Sequence, residues 1–301
     1  MTDLNNLKVW KRSPVVFQGQ KRFFIKETLE FLSKAINNDD GDGYTILDVF
    51  GGSGLLAHNA KRAFPKARVI FNDYDNVSHR IKNISTAIEN WQALNKIKLQ
   101  YEAAHSVKLI YHQSVKDKAV LDAIVAFLSN TTDEKLSLQH MSAWLCFNAI
   151  SYFNKEELIE KVKRGIYWCV PLNPPPLADD YLYGLEVVSK DFRELLDEFK
   201  DSMNVILILD PPYLWTTSET YKDPNAFGIP EFLELMLVVK PPFIFFETAK
   251  SQISALAHKF VTNGLPNSES WQNLSSFTKE ISHVRGHKRL ETIVYNVSNK
   301  R

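Results

Sequence analysis

The sequence predicts an α/β protein with a mostly parallel sheet, a C-terminal antiparallel hairpin and a mainly helical insertion. Residues 44–50, 68–72 and 205–209 are apolar runs, rich in β-branched and aromatic residues, that end abruptly in polar ones. Such runs are typical of buried parallel strands, and residues 243–246 form a fourth. The first run leads through glycines into helix-like residues 55–64, and strand, turn, helix and next strand together form a βαβ unit.

The end of the chain follows a different pattern. Residues 280–284 and 291–297 read as two strands that flank the basic segment 285–289, which predicts an antiparallel hairpin with a basic tip.

The middle of the chain reads as helical. Thr131 and Glu134 have the spacing of a capping box, which predicts a helix over residues 136–153. Residues 171–176 are rich in proline and predict a break in regular structure.

Composition and charge narrow the function classes. The 301 residues are 45% hydrophobic and 24% charged, as in an ordinary soluble globular protein. The net charge is +1, so any surface for nucleic acid must come from local basic clusters. Cys146 and Cys169 lie in no Cys-x-x-Cys pair, which predicts no metal site and fits a reducing compartment. We see neither a secretory signal nor an apolar run of about 20 residues, and expect a cytoplasmic protein without membrane spans.

A glycine-rich turn closes the first predicted strand. Residues 48–54 read Asp-Val-Phe-Gly-Gly-Ser-Gly, which matches neither a phosphate-binding P-loop nor the dinucleotide fingerprint. Asp73 ends the second predicted strand, where a carboxylate can accept hydrogen bonds from both hydroxyls of a ribose. The pair indicates a nucleoside ligand, and the alternative is a tight strand-to-helix turn without a ligand.

A second motif follows the apolar run 205–209. Asp210, Pro211, Pro212 and Tyr213 take the chain out of the sheet, because proline cannot donate to a strand ladder. The Asp210 carboxylate and the Pro211 carbonyl can both accept from one amino group, and Tyr213 offers a flat face to an extruded base. This arrangement favours methylation of an amino nitrogen, and the alternative is a rigid turn with a buried tyrosine.

These motifs, in this order, resemble the Dam-like family of adenine-N6 DNA methyltransferases, the α arrangement of amino-methyltransferases. The glycine turn and Asp-Pro-Pro-Tyr carry most of the resemblance, which spans about residues 15–297. Residues 17–21 resemble the family's N-terminal cofactor motif, although Gln20 stands where the family has a second glycine. Phe147-Asn148 and Phe153-Asn154 resemble the Phe-Asn stretch that precedes the recognition elements.

The resemblance implies S-adenosylmethionine as the methyl donor, S-adenosylhomocysteine as the product and no metal. It implies catalytic roles for Asp210, Pro211, Pro212 and Tyr213. Lys21 would pair with the methionine carboxylate, Asp73 would hold the ribose, and Asp191 would accept from the cofactor's adenine. The cofactor residues implied in full are Phe17, Gly19, Lys21, Asp48, Phe50, Gly51, Gly52, Ser53, Gly54, Asp73, Asp191 and Phe192.

The resemblance also implies the domain organisation. Residues 1–94 and 184–301 would form a cofactor-binding catalytic domain with a Rossmann-like class I methyltransferase sheet. Residues 95–183 would form an inserted target-recognition region that binds DNA.

Double-stranded DNA is the implied partner, with the target adenine flipped out of the duplex. Arg285, His287, Lys288 and Arg289 are the most plausible phosphate contacts, because they lie at a predicted hairpin tip. Basic segments 8–12 and 161–164 are further candidates, and each such cluster is more often an ordinary solvated surface. A cognate restriction endonuclease is a candidate second partner.

Other functions stay open at this point. The first is an RNA-base methyltransferase, although the long insertion between Gly54 and Asp210 favours DNA. The second is a cytosine amino-methyltransferase, in which serine more often precedes Pro-Pro-Tyr. The third is a catalytically inactive relative that binds nucleic acid, and a dehydrogenase fits least because the glycine spacing differs.

Overall fold

The computed structural model describes residues 9–17, 19–147, 152–213, 227–248, 253–282 and 288–298. These residues divide into two compact units. The described residues of Met1–Arg12, Gly19–Asn76 and Leu182–Arg301 form the sheet unit, and those of Ser13–Gln18 and Val77–Tyr181 form the helical unit.

The regular elements of the described residues alternate between strands and helices over much of the chain. The strands are β1 Thr45–Asp48, β2 Arg68–Asn72, β3 Gln113–Val115, β4 Ile166–Trp168, β5 Glu186–Val188, β6 Val205–Leu209, β7 Phe243–Thr248, β8 Ser275–Ser282 and β9 Lys288–Asn296. The α-helices are α1 Ile25–Ala35, α2 Leu55–Ala63, α3 Val77–Lys82, α4 Ile84–His105, α5 Lys118–Asn130, α6 Leu138–Leu145, α7 Lys155–Lys163, α8 Phe192–Glu198, α9 Ile229–Val238 and α10 Ile253–Thr262. Short 3-10 helices cover Asp133–Lys135 and Ser268–Trp271.

The sheet unit contains a seven-stranded sheet in the order β5-β2-β1-β6-β7-β9-β8. The first five strands in this order are parallel, and β9 pairs antiparallel with both β7 and β8. The central strands are the apolar runs of the sequence, and every residue of β6 is buried. This confirms the predicted Rossmann-like, mostly parallel sheet with its C-terminal antiparallel hairpin.

One core of the sheet unit lies where β6 and β7 pack against α8, α9 and α10. It includes buried Leu207, Phe245, Leu235 and Phe260, each at most 3% exposed, and it places no charged side chain among its members. Burial of such side chains is worth about 1.5–3 kcal/mol each. The strands are thereby held rigidly, and the loops at their carboxyl ends start from fixed positions.

The helical unit has its own core. Buried Leu94 of α4, Ile124 of α5 and Trp144 of α6 belong to it, together with Trp168 of β4. β3 and β4 form a separate two-stranded antiparallel ribbon. Because α4 contributes to this core, the longer segment of the unit begins at Val77, before residue 95, where the predicted insertion starts.

The predicted helix over residues 136–153 is wrong in extent. α6 covers Leu138–Leu145, and Cys146 is extended, with φ −122° and ψ 148°. The predicted capping box is also wrong, because the Thr131 hydroxyl donates to the Phe127 carbonyl at 2.7 Å, closing the end of α5. Thr132 precedes a 3-10 helix instead and makes no side-chain cap.

Candidate active site

Four of the predicted site carboxylates lie at one edge of the seven-stranded sheet. Asp48 ends β1, Asp73 follows β2, and Asp210 follows β6. Asp191 comes shortly after β5 and is the N-cap of α8. Since β5, β2, β1 and β6 are parallel neighbours, these carboxylates come from adjacent strands at the carboxyl edge, where open α/β sheets bind ligands.

The glycine turn between β1 and α2 has no room for side chains at two positions. A Cβ on Gly51 would lie 2.3 Å from two ring atoms of Phe71. Gly54 has a φ of +73°, and a Cβ there would lie 2.6 Å from a methyl carbon of Leu182. The Gly54 N–H donates to the Gly51 carbonyl at 2.8 Å. Packing therefore requires these glycines, and the same lack of side chains leaves bare backbone at the start of α2.

A buried asparagine joins three strand ends at this edge. The Asn72 side chain donates to the Val49 carbonyl at 2.9 Å and to the Lys190 carbonyl at 3.0 Å. Its oxygen accepts from the Lys190 N–H at 2.9 Å. The Asp73 N–H donates to the Val188 carbonyl at 2.7 Å, and the Asp73 side chain is buried. Sequence reasoning did not assign this role to Asn72, and the only signal was a polar residue ending an apolar strand.

Phe50 and Phe192, two predicted cofactor residues far apart in sequence, are in ring contact. Their centroids lie 5.6 Å apart, and Phe227 contacts both, at 5.5 Å and 5.7 Å. No motif in the sequence pointed to Phe227. Beside Phe192, the Asp191 carboxylate caps α8 by accepting from the Arg193 N–H at 2.8 Å. The Arg193 guanidinium also contacts Asp191, at 3.3 Å.

Asp210 and Lys21 form a shielded ion pair. The Lys21 ammonium lies 2.5 Å from Oδ2 of Asp210, and the two side chains are 5% and 20% exposed. The ammonium also donates to the Gly19 carbonyl at 2.9 Å and lies 5.1 Å from the ring centroid of Tyr213. Lys21 is therefore not a solvated surface lysine. The family resemblance implied that Lys21 pairs with the methionine carboxylate of the cofactor. In the structure its ammonium contacts Asp210 of the Asp-Pro-Pro-Tyr motif.

Charge and burial act against each other on Asp210. Burial raises the pKa of its carboxyl, and the nearby charge of Glu291 raises it further. The Lys21 charge and hydrogen bond lower the pKa, and so does a hydrogen bond from Tyr213. Lys21 is thus the strongest influence that favours the carboxylate over the neutral acid.

Asp48 is a second buried carboxyl in this cluster. Burial raises its pKa to about 7, with the charge of Asp210 as the next cause, opposed by the Ala57 backbone and Lys21. Its Oδ2 is buried and has no hydrogen-bond partner among the residues that the structure describes. A buried acceptor of this kind is costly unless a donor or cation fills the place beside it.

The predicted basic tip is described only in part. Arg285 and His287 lie outside the described residues. Lys288 and Arg289 are not tip residues, because they pair within β9 opposite β8. The Lys288 ammonium lies 2.7 Å from Glu280, and Arg289 pairs with buried Glu291. Both cations thus have carboxylate partners inside the hairpin, and a role for them in DNA binding stays a prediction.

The remaining predicted residues divide between the two units. Pro211, Pro212 and Ser53 lie in the sheet unit, and so do Gly19 and Gly52, whose φ angles are +81° and +51°. Phe17 belongs to the helical unit.

The described part of the chain offers neither a cluster of metal ligands nor a membrane-spanning helix. In that part of the chain, no group of three or more His, Cys, Asp or Glu side chains could hold a metal ion. None of its helices is long and apolar enough to cross a membrane.

Comparison with known proteins identifies the class. The family of D12 class N6 adenine-specific DNA methyltransferases matches residues 17–240, and the chain belongs to this family. A Haemophilus influenzae protein described as a "Putative methyltransferase" is 36% identical over 249 residues, which cover 82% of this chain and 79% of that protein.

Two solved structures show a distant likeness. A "putative RNA methyltransferase" from Pyrococcus horikoshii is 13% identical, with a TM-score of 0.36, covering 97% of this chain and 93% of its own. The ribosomal RNA methyltransferase AviRa of Streptomyces viridochromogenes is 12% identical, with a TM-score of 0.33, covering 98% and 92%.

Proposed function

We propose that this protein transfers a methyl group from S-adenosylmethionine to the exocyclic amino nitrogen of an adenine flipped out of double-stranded DNA, within a specific sequence. The observation that carries the proposal is the Asp210–Tyr213 motif. It leaves the buried strand β6 at the carboxyl edge, beside the glycine turn, with its carboxyl shielded and held by Lys21. Family membership gives the class of reaction, and this geometry supports the chemistry.

The acceptor half of the site follows from hydrogen-bond capacity. The Asp210 carboxylate and the Pro211 carbonyl accept the two amino protons, which orients the nitrogen lone pair out of their plane. Tyr213 presents a ring against the base. The nitrogen forms its new bond to the methyl carbon, the sulfur–carbon bond breaks with its electrons left on sulfur, and the surplus proton passes to Asp210 and then to water.

The donor half has features that fit S-adenosylmethionine. Two features suit its methionine end, which carries an ammonium group: the bare backbone of the glycine turn, and the Asp48 Oδ2, which has no hydrogen-bond partner within the described part of the chain. Asp73 would hold the ribose, and Phe50 with Phe192 would contact the adenine ring. When bound, this cofactor supplies an electrophilic methyl group and leaves as S-adenosylhomocysteine.

The helical unit offers a surface for the DNA. Tyr111, His112, Tyr167 and Phe147 form a continuous row of ring contacts along the β3–β4 ribbon, with centroids 4.2 to 5.9 Å apart. We call these four residues the aromatic row. Tyr111 is 49% exposed and Phe147 is 53% exposed.

The segments around this ribbon are strongly basic. Residues 105–118 and 161–169 contain Lys108, Lys116, Lys118, Lys161, Lys163 and Arg164 against a single acid, Asp117. Aromatic rings interleaved with cations suit a partner with phosphates and bases. We infer that this face contacts the DNA, which places recognition in the helical unit.

The test is direct. The purified protein is incubated with S-adenosylmethionine and unmethylated duplex DNA, with total RNA in a parallel reaction. The nucleic acid is digested to nucleosides, and methylated products are identified by mass spectrometry. Asp210→Asn is the matched control, because it keeps the shape and loses the charge.

The outcomes separate the candidate functions. N6-methyladenine in DNA, reduced on the order of 10³-fold in Asp210→Asn, supports the proposal. Methylcytosine in DNA would change the target base and keep the mechanism. Product in RNA alone would overturn the DNA assignment, and no product in either reaction would leave an inactive relative that binds nucleic acid.

A further inference from the structure

Lys21 contacts the acceptor side of the site. Its ammonium has an Asp210 oxygen at 2.5 Å and the Gly19 carbonyl at 2.9 Å. The rings of Tyr213 and Phe246 face it at 5.1 Å and 5.7 Å. A lysine ammonium is strongly hydrated, so burying it to 5% exposure requires compensation by an opposite charge.

We propose that Lys21 is a positioning residue on the acceptor side of the reaction, whose ammonium holds the Asp210 carboxylate ready for the amino group of the target base. This inference rests on the proposed function. It differs from the expectation taken from the family resemblance, in which Lys21 pairs with the methionine carboxylate of the cofactor. A carboxylate on the cofactor would have to compete with Asp210 for the same ammonium.

Asp210 needs Lys21 because other groups around it favour its neutral form. From β1 comes Asp48, from β9 come Glu291 and its partner Arg289, and the motif itself supplies Tyr213. Burial and the charge of Glu291 both favour a neutral Asp210. A neutral acid has a proton on one oxygen and would meet the target amino group with a donor. Lys21 opposes this by charge and by direct hydrogen bonding.

The ion pair leaves room for the substrate. An ionised carboxylate offers about four lone-pair positions on two oxygens. Lys21 contacts Oδ2, so acceptor capacity remains for an amino proton. The lysine therefore fixes the orientation of the carboxylate plane before the base arrives, and orientation fixed in advance lowers the barrier.

The variants are Lys21→Met, which keeps length and removes charge, and Lys21→Arg, which keeps charge. Lys26→Met is the matched control, because Lys26 lies nearby on α1 and its side chain is 83% exposed. Circular dichroism checks folding. Three quantities are measured: the Kd for S-adenosylmethionine, the single-turnover rate of DNA methylation between pH 6 and 9, and the pKa of Asp210 from carboxyl 13C shifts assigned with Asp210→Asn.

We expect Lys21→Met to change the cofactor Kd by less than about threefold and to lower the rate at pH 7 by about 100-fold. Its acidic limb in the pH–rate profile should move to higher pH, and the Asp210 pKa should rise. Lys21→Arg should recover part of the rate and keep the limb near its wild-type position. Adding Lys21→Met to Asp210→Asn should cost little more, because the two residues act together.

The opposite pattern would overturn the inference. In that pattern Lys21→Met weakens cofactor binding tenfold or more, while the saturated rate, its pH profile and the Asp210 pKa stay unchanged. If the wild-type protein methylates no nucleic acid, the proposed function fails instead. The carboxyl shifts then still decide whether Lys21 controls the ionisation of Asp210.

Discussion

The sheet unit and the helical unit bury polar groups for different purposes. In the sheet unit, Lys21, Asp48, Asp73 and Glu291 are each at most 5% exposed and lie in or near the site. Lys21 and Glu291 influence the ionisation of Asp210, and Lys21 also influences that of Asp48. Their charges only partly cancel, which costs stability and suits the proposed site, which would bind a cationic cofactor and a target amino group.

In the helical unit, buried polar groups mostly satisfy the backbone. Asn90 donates to the Lys135 carbonyl and accepts from the Ser137 N–H, at 2.8 Å each. Arg80 donates to the Val16 carbonyl at 2.6 Å, and the Ser142 hydroxyl accepts from the Tyr152 N–H at 3.0 Å. These bonds join loops to helices, so the polar interior of this unit supports its shape, and the proposed DNA contacts lie on its surface.

The two units are expected to differ most in how their stability depends on pH. In the sheet unit this dependence comes from Asp48. Its folded pKa of about 7 lies well above the unfolded value of 3.8, so this group's contribution to stability is full below pH 4 and is lost as the pH rises through 7. Asp48→Asn should therefore stabilise the sheet unit at pH 8, by up to roughly 4 kcal/mol, and by much less near pH 4. Urea unfolding of both proteins between pH 4 and 8 measures this.

The same variant should bind the cofactor less well. A cationic ligand favours the ionised Asp48, so the wild-type Kd for S-adenosylmethionine should fall as the pH rises from 6 to 8, and the variant should lose this dependence. Uncharged 5′-methylthioadenosine, which lacks the methionine ammonium, serves as the control ligand. A stability gain of equal size at every pH would show that Asp48 does not titrate as the structure indicates.

A buried histidine gives the helical unit the opposite response to pH. Burial, followed by the charge of Arg80, lowers the pKa of His140 to about 3. Its Nδ1 lies 2.7 Å from the Ser137 hydroxyl, and among the described residues Nε2 has no partner. The unfolded chain takes up a proton near pH 6.5 that the folded chain cannot, so stability should be lost as the pH falls below that value.

We expect the helical unit to lose about 2 kcal/mol relative to His140→Gln between pH 7.5 and pH 5. Hydrogen exchange followed by mass spectrometry, read on peptides of α5 and α6, isolates this unit from the sheet unit. Exposed His105→Gln is the matched control. Equal acid sensitivity of wild type and His140→Gln would rule out the histidine as the cause.

The sheet was predictable because its signals are local. Residues 205–209 form β6 as predicted, because a fully buried parallel strand must be apolar on both faces. The position of Asp210 followed from the two prolines after it. The partnership of Lys21 with Asp210 was not predictable, because it joins residues 189 positions apart and no periodicity marks it.

The helical unit was less predictable because its structure also depends on contacts that no local sequence signal marks. The end of α6 at Leu145 depends on Cys146 turning extended, and no proline or glycine marks that point in the sequence. The aromatic row is assembled from residues near 111, 147 and 167, which come together only when β3 and β4 pair.

The smallest expected effect is on DNA binding, and it tests whether the aromatic row contacts the duplex. Tyr111→Ala and Phe147→Ala should each weaken binding of a labelled duplex by about fivefold to tenfold, since stacking on a ring is worth about 1–3 kcal/mol. Fluorescence anisotropy at two salt concentrations measures this, with Leu99→Ala as the control because Leu99 is an apolar residue 65% exposed on α4. Cofactor affinity should stay unchanged, because the predicted cofactor residues other than Phe17 lie in the sheet unit. Unaltered DNA affinity in both variants would remove the aromatic row from the interface and leave the basic segments as the remaining candidates.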